Sequence, residues 1–436
     1  LISQFLRNTT NTVQTVLYQV TPTLGNCTGA TFQVAITVNP TPEIDNDTAI
    51  ICSGDPFSVT PINGGNNIVP TGTTYTWTVA PNANITGQSD VNVGQNAISQ
   101  TLTNTSNTVQ TVIYTVTPIS GAAGSCPGPT FNVTVTVNPR PSILNQSIAA
   151  CSNAPISHTA TNGANNIVPT NTQYTWVIKT DNNDITGKSA QATPQASFTQ
   201  TLRNTTNTQQ TIIYTLTPSS GSCAGNPFDL EVLVRPTPEI ADKTEQICSE
   251  ATFTVSPANA GSGAVDIVPA GTTYTWVVTP NNNVTGESSV SIAQNSISQQ
   301  LTNTTNTVQT VLYTVTPRSG ATGNCIGLPF QVSVQVDPKP FVQTINETVC
   351  SDSPFTISPA NGNGNIVPAG TTYTWTFVDN PDVTGEATGT AAANFTQTLS
   401  NTTTSPQTVT YTVTPTSGDS GNCQGDPFTI NITVNP

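Results

Sequence analysis

The sequence predicts an all-β protein, a tandem array of antiparallel β-sandwich modules that forms an elongated rod. A segment ending Thr-Val-Asn-Pro at Pro40 recurs in close variants that end at Pro139, Pro236, Pro338 and Pro436, at intervals of 99, 97, 102 and 98 residues. Intervals of this size correspond to whole domains rather than to solenoid repeats. Within each interval, short apolar–polar alternations are separated by Gly, Pro and Asn, and no stretch has helical apolar spacing.

The repeat divides the chain into five parts. Residues 1–40 match only the end of a module and are predicted to supply its last three strands. Four complete modules follow, at residues 41–139, 140–236, 237–338 and 339–436. The chain begins at Leu1 and contains no Met, no signal peptide and no apolar run long enough to span a membrane. We therefore expect it to be a segment of a larger protein.

Recurring segments mark the strands within a module. The clearest is Phe131–Val137, where Phe131, Val133, Val135 and Val137 alternate with Asn and Thr and are expected to face the core. Six or seven short segments in each module indicate an antiparallel sandwich. In the first complete module the segments lie, in order, at residues 56–61, 67–70, 75–77, 85–87, 98–102, 113–118 and 131–137.

The tryptophans and tyrosines recur at matched positions. Each of the four Trp lies in a Tyr-x-Trp motif, and the other tyrosines lie in a Tyr-x-Val/Leu-Thr-Pro strand. Such residues serve either as platforms for sugars or as the core of a sandwich, in which one Trp packs between the sheets. We favour the core. The predicted core aromatics are Trp77, Trp176, Trp276, Trp375, Tyr114, Tyr214, Tyr313 and Tyr411.

The composition excludes several partners. Only 7% of the residues are charged and the net charge is −14, against about 25% charged residues in an average protein. No basic stripe or polybasic run occurs, so neither nucleic acid nor membrane insertion of this segment is expected. Nine cysteines without Cys-x-x-Cys spacing indicate disulfides in an oxidising, extracellular compartment rather than a zinc site.

No catalytic constellation recurs, and we predict that the chain is not an enzyme. The one histidine, His158, has no counterpart in the other modules and is interpreted as a surface substitution. Carboxylates do not recur as facing pairs, and no cofactor is expected. The acidic runs at residues 45–47 and 181–184 offer oxygen ligands for a structural calcium ion. Their counterparts lack the charges, so polar turns are the preferred interpretation.

Several of these motifs resemble a known family. Tyr-x-Trp, Tyr-Thr-Val-Thr-Pro, Ile-Cys-Ser-Gly at 51–54 and Gly-Asn-Cys before a Val/Thr strand resemble the PKD-like, Ig-type modules of Bacteroidetes surface proteins. The array is similar to the repeats of SprB-like gliding-motility adhesins over the whole chain, although the Trp-x-Phe-Gly-Asp-Gly signature of the wider PKD family is missing. The resemblance implies export by type IX secretion, a location on the surface of a diderm bacterium, and adhesion during gliding.

The same resemblance suggests one modified residue. Asp47-Thr48-Ala49 is similar to the O-glycosylation acceptor of that phylum, which makes Thr48 a candidate site.

The cysteines fall into two classes. Cys52, Cys151, Cys248 and Cys350 precede the second strand of a module, whereas Cys27, Cys126, Cys223, Cys325 and Cys423 precede the last strand. In an Ig-type sandwich these positions, the A–B turn and the F–G loop, lie at opposite poles, much farther apart than the Cα separation of about 7 Å that a disulfide tolerates. The A–B turn of one module faces the F–G loop of the next.

Two pairings stay open. The inter-module pairing is favoured on this geometry and joins Cys52–Cys223, Cys151–Cys325 and Cys248–Cys423. The intra-module pairing is the commoner arrangement in general and joins Cys52–Cys126, Cys151–Cys223, Cys248–Cys325 and Cys350–Cys423.

Two functions are consistent with this organisation. The first is the repeat region of a large cell-surface adhesin or filament, a stalk for adhesion and gliding. Its partners would be a substratum or surface polysaccharide and, through regions outside this chain, the outer-membrane gliding and secretion machinery. The alternative is a carbohydrate-binding or spacer array of a secreted polysaccharide-degrading enzyme. Stiff Pro-x-Pro linkers end at residues 42, 141, 238 and 340. They predict a semi-rigid rod of roughly 150 Å and favour the stalk.

Overall fold

The computed structural model describes residues 2–260, 266–320 and 322–436, and these residues form β-strands but no helix. The prediction of tandem all-β sandwich modules is confirmed. Within the described ranges there is accordingly no helix with the length and apolarity of a membrane span.

The N-terminal segment, residues 2–40, contains an antiparallel pair, β1 (Gln14–Val20) and β4 (Phe32–Val38), joined through the short hairpin β2 (Thr23–Leu24) and β3 (Cys27–Thr28). The predicted third strand does not form, and residues 2–13 contain no strand at all. In the complete modules this strand pairs with the second strand of the module, which the N-terminal segment lacks. A strand without a neighbour has no ladder to join, so the prediction of three strands was wrong.

The first complete module contains nine strands. These are β5 (Asp47–Cys52), β6 (Pro56–Val59), β7 (Thr74–Val79), β8 (Ile85–Thr86), β9 (Val91–Gln95), β10 (Ile98–Thr101), β11 (Thr103–Asn104), β12 (Gln110–Ile119) and β13 (Phe131–Asn138).

The other three modules repeat this order, and the second has one additional short strand, β22. The second module has β14 (Gln146–Cys151), β15 (Pro155–His158), β16 (Gln173–Thr180), β17 (Ile185–Thr186), β18 (Gln191–Gln195), β19 (Phe198–Thr201), β20 (Arg203–Asn204), β21 (Gln210–Ser220), β22 (Cys223–Ala224) and β23 (Phe228–Arg235). The third has β24 (Lys243–Cys248), β25 (Thr252–Val255), β26 (Thr273–Thr279), β27 (Val284–Thr285), β28 (Val290–Gln294), β29 (Ile297–Gln300), β30 (Thr302–Asn303), β31 (Gln309–Arg318) and β32 (Phe330–Asp337). The fourth has β33 (Ile345–Cys350), β34 (Pro354–Ile357), β35 (Thr372–Val378), β36 (Val383–Thr384), β37 (Gly389–Ala392), β38 (Phe395–Thr398), β39 (Ser400–Asn401), β40 (Gln407–Thr416) and β41 (Phe428–Asn435).

One layer of each module is a sheet with five strands in the order β5-β13-β12-β7-β9 of the first module, and in the second module β22 adds a sixth strand beside β21. The opposite layer contains the pair β6–β10, and β8 pairs with β11. The first and last strands, β5 and β13, run parallel in a six-residue register that ends at Cys52 opposite Asn138. Because both strands run in the same direction, the chain enters a module at one pole and leaves it at the other.

Alternating residues of both layers form a separate core in each module. Phe131, Val133, Val135 and Val137 are buried as predicted from the alternation. The buried clusters contain residues of one module each. The accessible surface is 22417 Å², whereas a compact globule of this mass exposes about 16,000 Å². The excess indicates that the modules remain separate bodies with small mutual interfaces.

Candidate functional site at the module junctions

Three junctions between complete modules are each crossed by a disulfide. The bonds join Cys52 to Cys223, Cys151 to Cys325 and Cys248 to Cys423, with Cα–Cα distances of 5.6, 5.7 and 5.6 Å. Each bond connects the A–B turn of one module with the F–G loop of the next. These distances lie in the ordinary range for disulfides.

The intra-module pairing Cys52–Cys126, Cys151–Cys223, Cys248–Cys325 and Cys350–Cys423 does not form. Cys52 lies beside Asn138 at the end of β13, whereas Cys126 lies before the start of that strand. The eight residues of β13 therefore separate the two sulfurs by roughly 25 Å. Cys27, Cys126 and Cys350 are free thiols.

A serine and an asparagine hold each A–B turn in place, and in the first complete module both are buried. Ser53, which follows Cys52, receives a hydrogen bond on Oγ from the backbone N of Asn104 (2.9 Å), and its own backbone N donates to the carbonyl of Asn138. The Asn104 side chain donates to the carbonyls of Thr108 (2.7 Å) and Val137 (3.0 Å). This network fixes the bonded cysteine against the end of the last strand.

The serine and asparagine recur in every complete module as Ser53/Asn104, Ser152/Asn204, Ser249/Asn303 and Ser351/Asn401, buried in the first three modules and partly buried in the fourth. We did not predict these residues from the sequence. The available signal was Ser after every cysteine of the first class and Leu-x-Asn in every repeat, which the abundance of Asn and Thr hides.

Ion pairs cross all four boundaries, including that of the N-terminal segment, and they are of two kinds. At two boundaries the cation is the middle residue of the Pro-x-Pro linker. Arg140 Nη2 binds both oxygens of Asp55 at 2.9 and 3.0 Å. Lys339 Nζ binds Glu250 Oε2 at 2.7 Å and Asp426 Oδ1 at 3.0 Å. Asp55 and Glu250 belong to the A–B turn of the module before the linker, whereas Asp426 belongs to the F–G loop of the module after it.

The second kind occupies the other two boundaries. Arg203, on β20, binds Glu239 just after the next linker at 2.8 Å, and Arg7 binds Glu43 in the same way. There the linker carries Thr41 or Thr237 in place of the cation. The two kinds of ion pair alternate along the chain, so two modules form one larger repeat. Four of the nine Lys and Arg residues of the chain lie in these pairs.

Hydrogen bonds to Glu250 and Asp426 raise the pKa of Lys339. Asp55, Glu239 and Glu250 are about half exposed, and Asp426 is more exposed still. Ion pairs of this kind contribute about 1 kcal/mol or less each and fix orientation more than they stabilise.

The residue before the first linker proline packs against the next F–G loop. Asp337 is fully buried and accepts a hydrogen bond from Gln246 Nε2 at 2.6 Å, and the same amide contacts Ser420 Oγ of the fourth module at 2.7 Å. A Cβ at Gly421 would lie 2.2 Å from Asp337 Oδ2, and one at Gly323 would lie 2.6 Å from an Arg235 nitrogen. These glycines of the F–G loops thus permit close approach of the two modules.

The predicted core aromatics lie inside the modules. All four Trp have at most 5% of their surface exposed, and Tyr114, Tyr214, Tyr313 and Tyr411 are fully buried. Each Trp indole N–H donates to a backbone carbonyl, for example Trp77 to Ser89 at 3.1 Å. None of these rings is available to stack on a sugar.

His158 is not a surface substitution. It ends β15, is partly buried, and its Nε2 contacts the Gln146 side chain. The equivalent positions in the other modules are Val59, Val255 and Ile357, which are buried. Burial lowers the pKa of His158. A polar residue thus occupies the edge of an apolar core. From the sequence we had interpreted it as a surface residue.

The other predicted sites have the following surroundings. Asp181 pairs with Lys188, so a cation at this carboxylate would displace an ion pair. Asp45 accepts from Asn66, and Asp47 from the backbone of Thr48. The described residues contain no cluster of three or more His, Cys, Asp or Glu side chains that could hold a metal. Thr48 is exposed on β5, at the edge of its sheet.

Five stretches of the chain match one family model, that of the PKD-like domain, at residues 1–42, 49–141, 148–238, 245–340 and 347–436. The chain belongs to the PKD-like domain family. The first four PKD-like repeats end at the second proline of a Pro-x-Pro linker. None of the curated proteins compared with the chain matches it significantly.

Three solved structures are similar to the chain along most of its length. Cadherin domains 3–6 of protocadherin gamma B2 are 10% identical and cover 91% of this chain and 99% of theirs, with a TM-score of 0.21. The human desmocollin-1 ectodomain is 10% identical and covers 93% and 82%, with a TM-score of 0.23. The insect immune protein hemolin is 11% identical and covers 90% and 99%, with a TM-score of 0.23. At these scores the likeness carries no argument about the fold or the activity of this chain.

Proposed function

We propose that this chain is a non-catalytic stalk, part of the repeat region of a large extracellular adhesin of the gliding-motility type, and that it holds an adhesive region away from the cell surface. The observation that supports this function is the concentration of specific contacts at the joints between the modules. Each boundary combines a Pro-x-Pro linker with an ion pair, and three of them add a disulfide. Contacts of this kind limit hinging, which a stalk requires.

The disulfides favour an oxidising compartment outside the cytoplasm. Export by type IX secretion, a Bacteroidetes-like cell surface, and attachment to the gliding machinery through regions outside this chain follow from the sequence resemblance and belong to the same proposal. The partner of the adhesive region would be a substratum or a surface polysaccharide.

A carbohydrate-binding array is the alternative function. Such modules usually present Trp or Tyr on the surface, because a flat aromatic ring stacks on a sugar ring. Here every Trp is buried, and the exposed large aromatic side chains of the described residues are Phe5, Phe32 and Phe341. The distribution of the aromatics supports the stalk.

Small-angle scattering of the oxidised chain tests the stalk. A rod of roughly 150 Å has a radius of gyration of about 40 Å, whereas a compact globule of this length has about 22 Å. A radius of gyration close to that of the globule would contradict the proposal.

Binding to insoluble and arrayed glycans tests the alternative. A stalk is expected to give no glycan-specific retention. Specific binding that is lost in a Phe341→Ala variant would favour the carbohydrate-binding array, with Phe32→Ala as the matched control on a different part of the chain.

A further inference from the structure

The disulfides and the spacing of the cysteines together define two covalent paths along the array. Cys52 is bonded to Cys223, and Cys248 to Cys423. Only one short segment of backbone separates Cys223 from Cys248. Cys52 lies in the first complete module and Cys423 in the fourth, yet that segment and two disulfides connect them. We call this connection path one.

Path two runs through the remaining cysteines. A short segment that crosses a linker leads from Cys126 to Cys151, and Cys151 is bonded to Cys325. A matching segment then leads from Cys325 to Cys350. The two paths alternate between modules, so that each disulfide belongs to one path only.

The backbone part of each path is already extended. Between Cys223 and Cys248 lie strand β23, the linker Pro236–Pro238 and strand β24. Strands rise about 3.3 Å per residue, and a fully extended chain at most about 3.6 Å. Such a segment gains little length when it is pulled.

The two paths lie side by side within the modules. In the second module β14 belongs to path two and β23 to path one, and the two strands form a parallel ladder from Gln146 opposite Leu230 to Cys151 opposite Arg235. The rest of that module, from Cys151 to Cys223, connects the two paths to each other. The bodies of the modules therefore lie off the direct covalent route between the ends.

We infer that the array bears tension along these two paths and that its modules do not unfold when the ends are pulled. This inference deepens the proposed stalk function, and it can fail while that function stands, because a stalk whose modules unfold under load remains a stalk. Scattering tests the first proposal at zero force, and stretching tests the second.

The length released under force distinguishes an array whose modules unfold from one whose modules stay folded. A module without disulfides that unfolds under force releases about 300 Å, because some 100 residues extend to roughly 350 Å from a folded length of about 40 Å. We call this release a module-sized increment. The segment from Cys223 to Cys248 extends to at most about 90 Å in total.

Single-molecule stretching of the full chain, held by its two termini under non-reducing conditions, tests the inference. The oxidised chain is expected to show no module-sized increment, although the N-terminal segment can release a shorter one. After reduction, up to four module-sized increments are expected, one for each complete module. Such increments in the oxidised chain would overturn the inference.

Two variants with the same number of disulfides make the test specific to the path. C151S/C325S interrupts path two and leaves path one complete between the termini, so it is expected to stretch like the oxidised parent. C52S/C223S interrupts path one, so the first module must extend and at least one module-sized increment is expected. Equal behaviour of the two variants would overturn the inference, since general stabilisation by disulfides would not distinguish them.

Discussion

The Cα atoms of Cys52 and Cys223 lie 5.6 Å apart, although 171 residues and a module boundary separate them. The relationship follows from the parallel pairing of the first and last strands, which places Cys52 at the pole where the chain leaves its module. The F–G loop of the next module begins at the adjoining pole. Each boundary between complete modules is therefore a place where covalent, ionic and close backbone contacts coincide.

Replacement of Asn303 by Asp tests the network that holds the A–B turn of the third module. The Asn303 amide donates to the carbonyls of Thr307 (2.7 Å) and Val336 (2.9 Å), and a carboxylate cannot. We expect a loss of about 1–3 kcal/mol, because buried acceptors lose their donors. In urea denaturation followed by Trp fluorescence, an early transition should appear with the amplitude of one Trp of the four.

Thr305→Ser is the matched control. Ser106 occupies the same position in the first module and makes the same hydrogen bonds to its asparagine and to Thr108. This variant should melt like the parent, and an equal loss in both variants would contradict the role assigned to the asparagine.

Gly286→Ala tests a backbone position that recurs in all four modules. Gly286 has φ +91°, and a Cβ there would lie 2.2 Å from the carbonyl oxygen of Gln300. We expect the third module to lose more than about 1 kcal/mol through strain and displacement of the neighbouring strand.

Gly54→Asn provides the comparison. Gly54 also has a positive φ, but nothing lies near its Cβ position, and Asn153 already adopts φ 63° at the equivalent place. The change should cost less than the roughly 1–2 kcal/mol that most residues lose in the left-handed region, because Asn adopts that region readily. Thermal melts of the two variants distinguish a steric clash at the Cβ position from the cost of a positive φ alone.

Alkaline titration tests the burial of the tyrosines. Burial raises the pKa of Tyr274 and Tyr373 to about 12, whereas an unfolded tyrosine ionises near pH 10. The folded state holds the phenol proton that the unfolded state releases, so stability is complete below about pH 10 and falls as the pH rises toward 12. In a Tyr18→Phe variant, which keeps only the buried tyrosines of the complete modules, tyrosine ionisation followed by absorbance should coincide with unfolding followed by circular dichroism. Ionisation at pH 10 in the folded variant would contradict the assignment.

Exchange of the charges at one boundary tests the ion pairs. In a double-mutant cycle on Arg203 and Glu239, we expect a coupling of about 0.2–1 kcal/mol at low salt, because both side chains are about 40–50% exposed. The coupling should fall at high salt through screening. The R203E/E239R variant should recover most of the stability that R203E loses, and a coupling that is unaffected by salt would contradict this account.

The strict alternation of Phe131–Val137 and the matched Trp and Tyr positions were sufficient to predict the fold and the core, because burial of one strand face leaves a direct pattern in sequence. The missing third strand of residues 2–13 could not be predicted from its own residues, since a strand depends on a partner elsewhere. His158 was misplaced for a related reason, because a single polar residue in one of four modules gives no periodic signal.

The boundary contacts depend on spatial neighbours that local sequence does not reveal. Arg203 and Glu239 lie 36 residues apart, and Arg140 and Asp55 lie 85 residues apart. They become adjacent only because the chain enters each module at one pole and leaves it at the other. The cysteines were informative because disulfide geometry restricts them to few partners, and the sequence still left two pairings open.

Trypsin digestion of the denatured, non-reduced chain, with free thiols blocked, tests the inter-module pairing most directly. Cleavage is expected after Arg7, Lys179, Lys188, Arg203, Lys243 and Arg318, but not at the three Lys/Arg–Pro bonds of the linkers. The peptides that contain cysteine then span residues 8–179, 204–243, 244–318 and 319–436. The pairing across the boundaries predicts one covalent complex of all four peptides, because Cys151–Cys325 joins 8–179 to 319–436. Two separate complexes, 8–179 with 204–243 and 244–318 with 319–436, would contradict it and indicate the intra-module bonds.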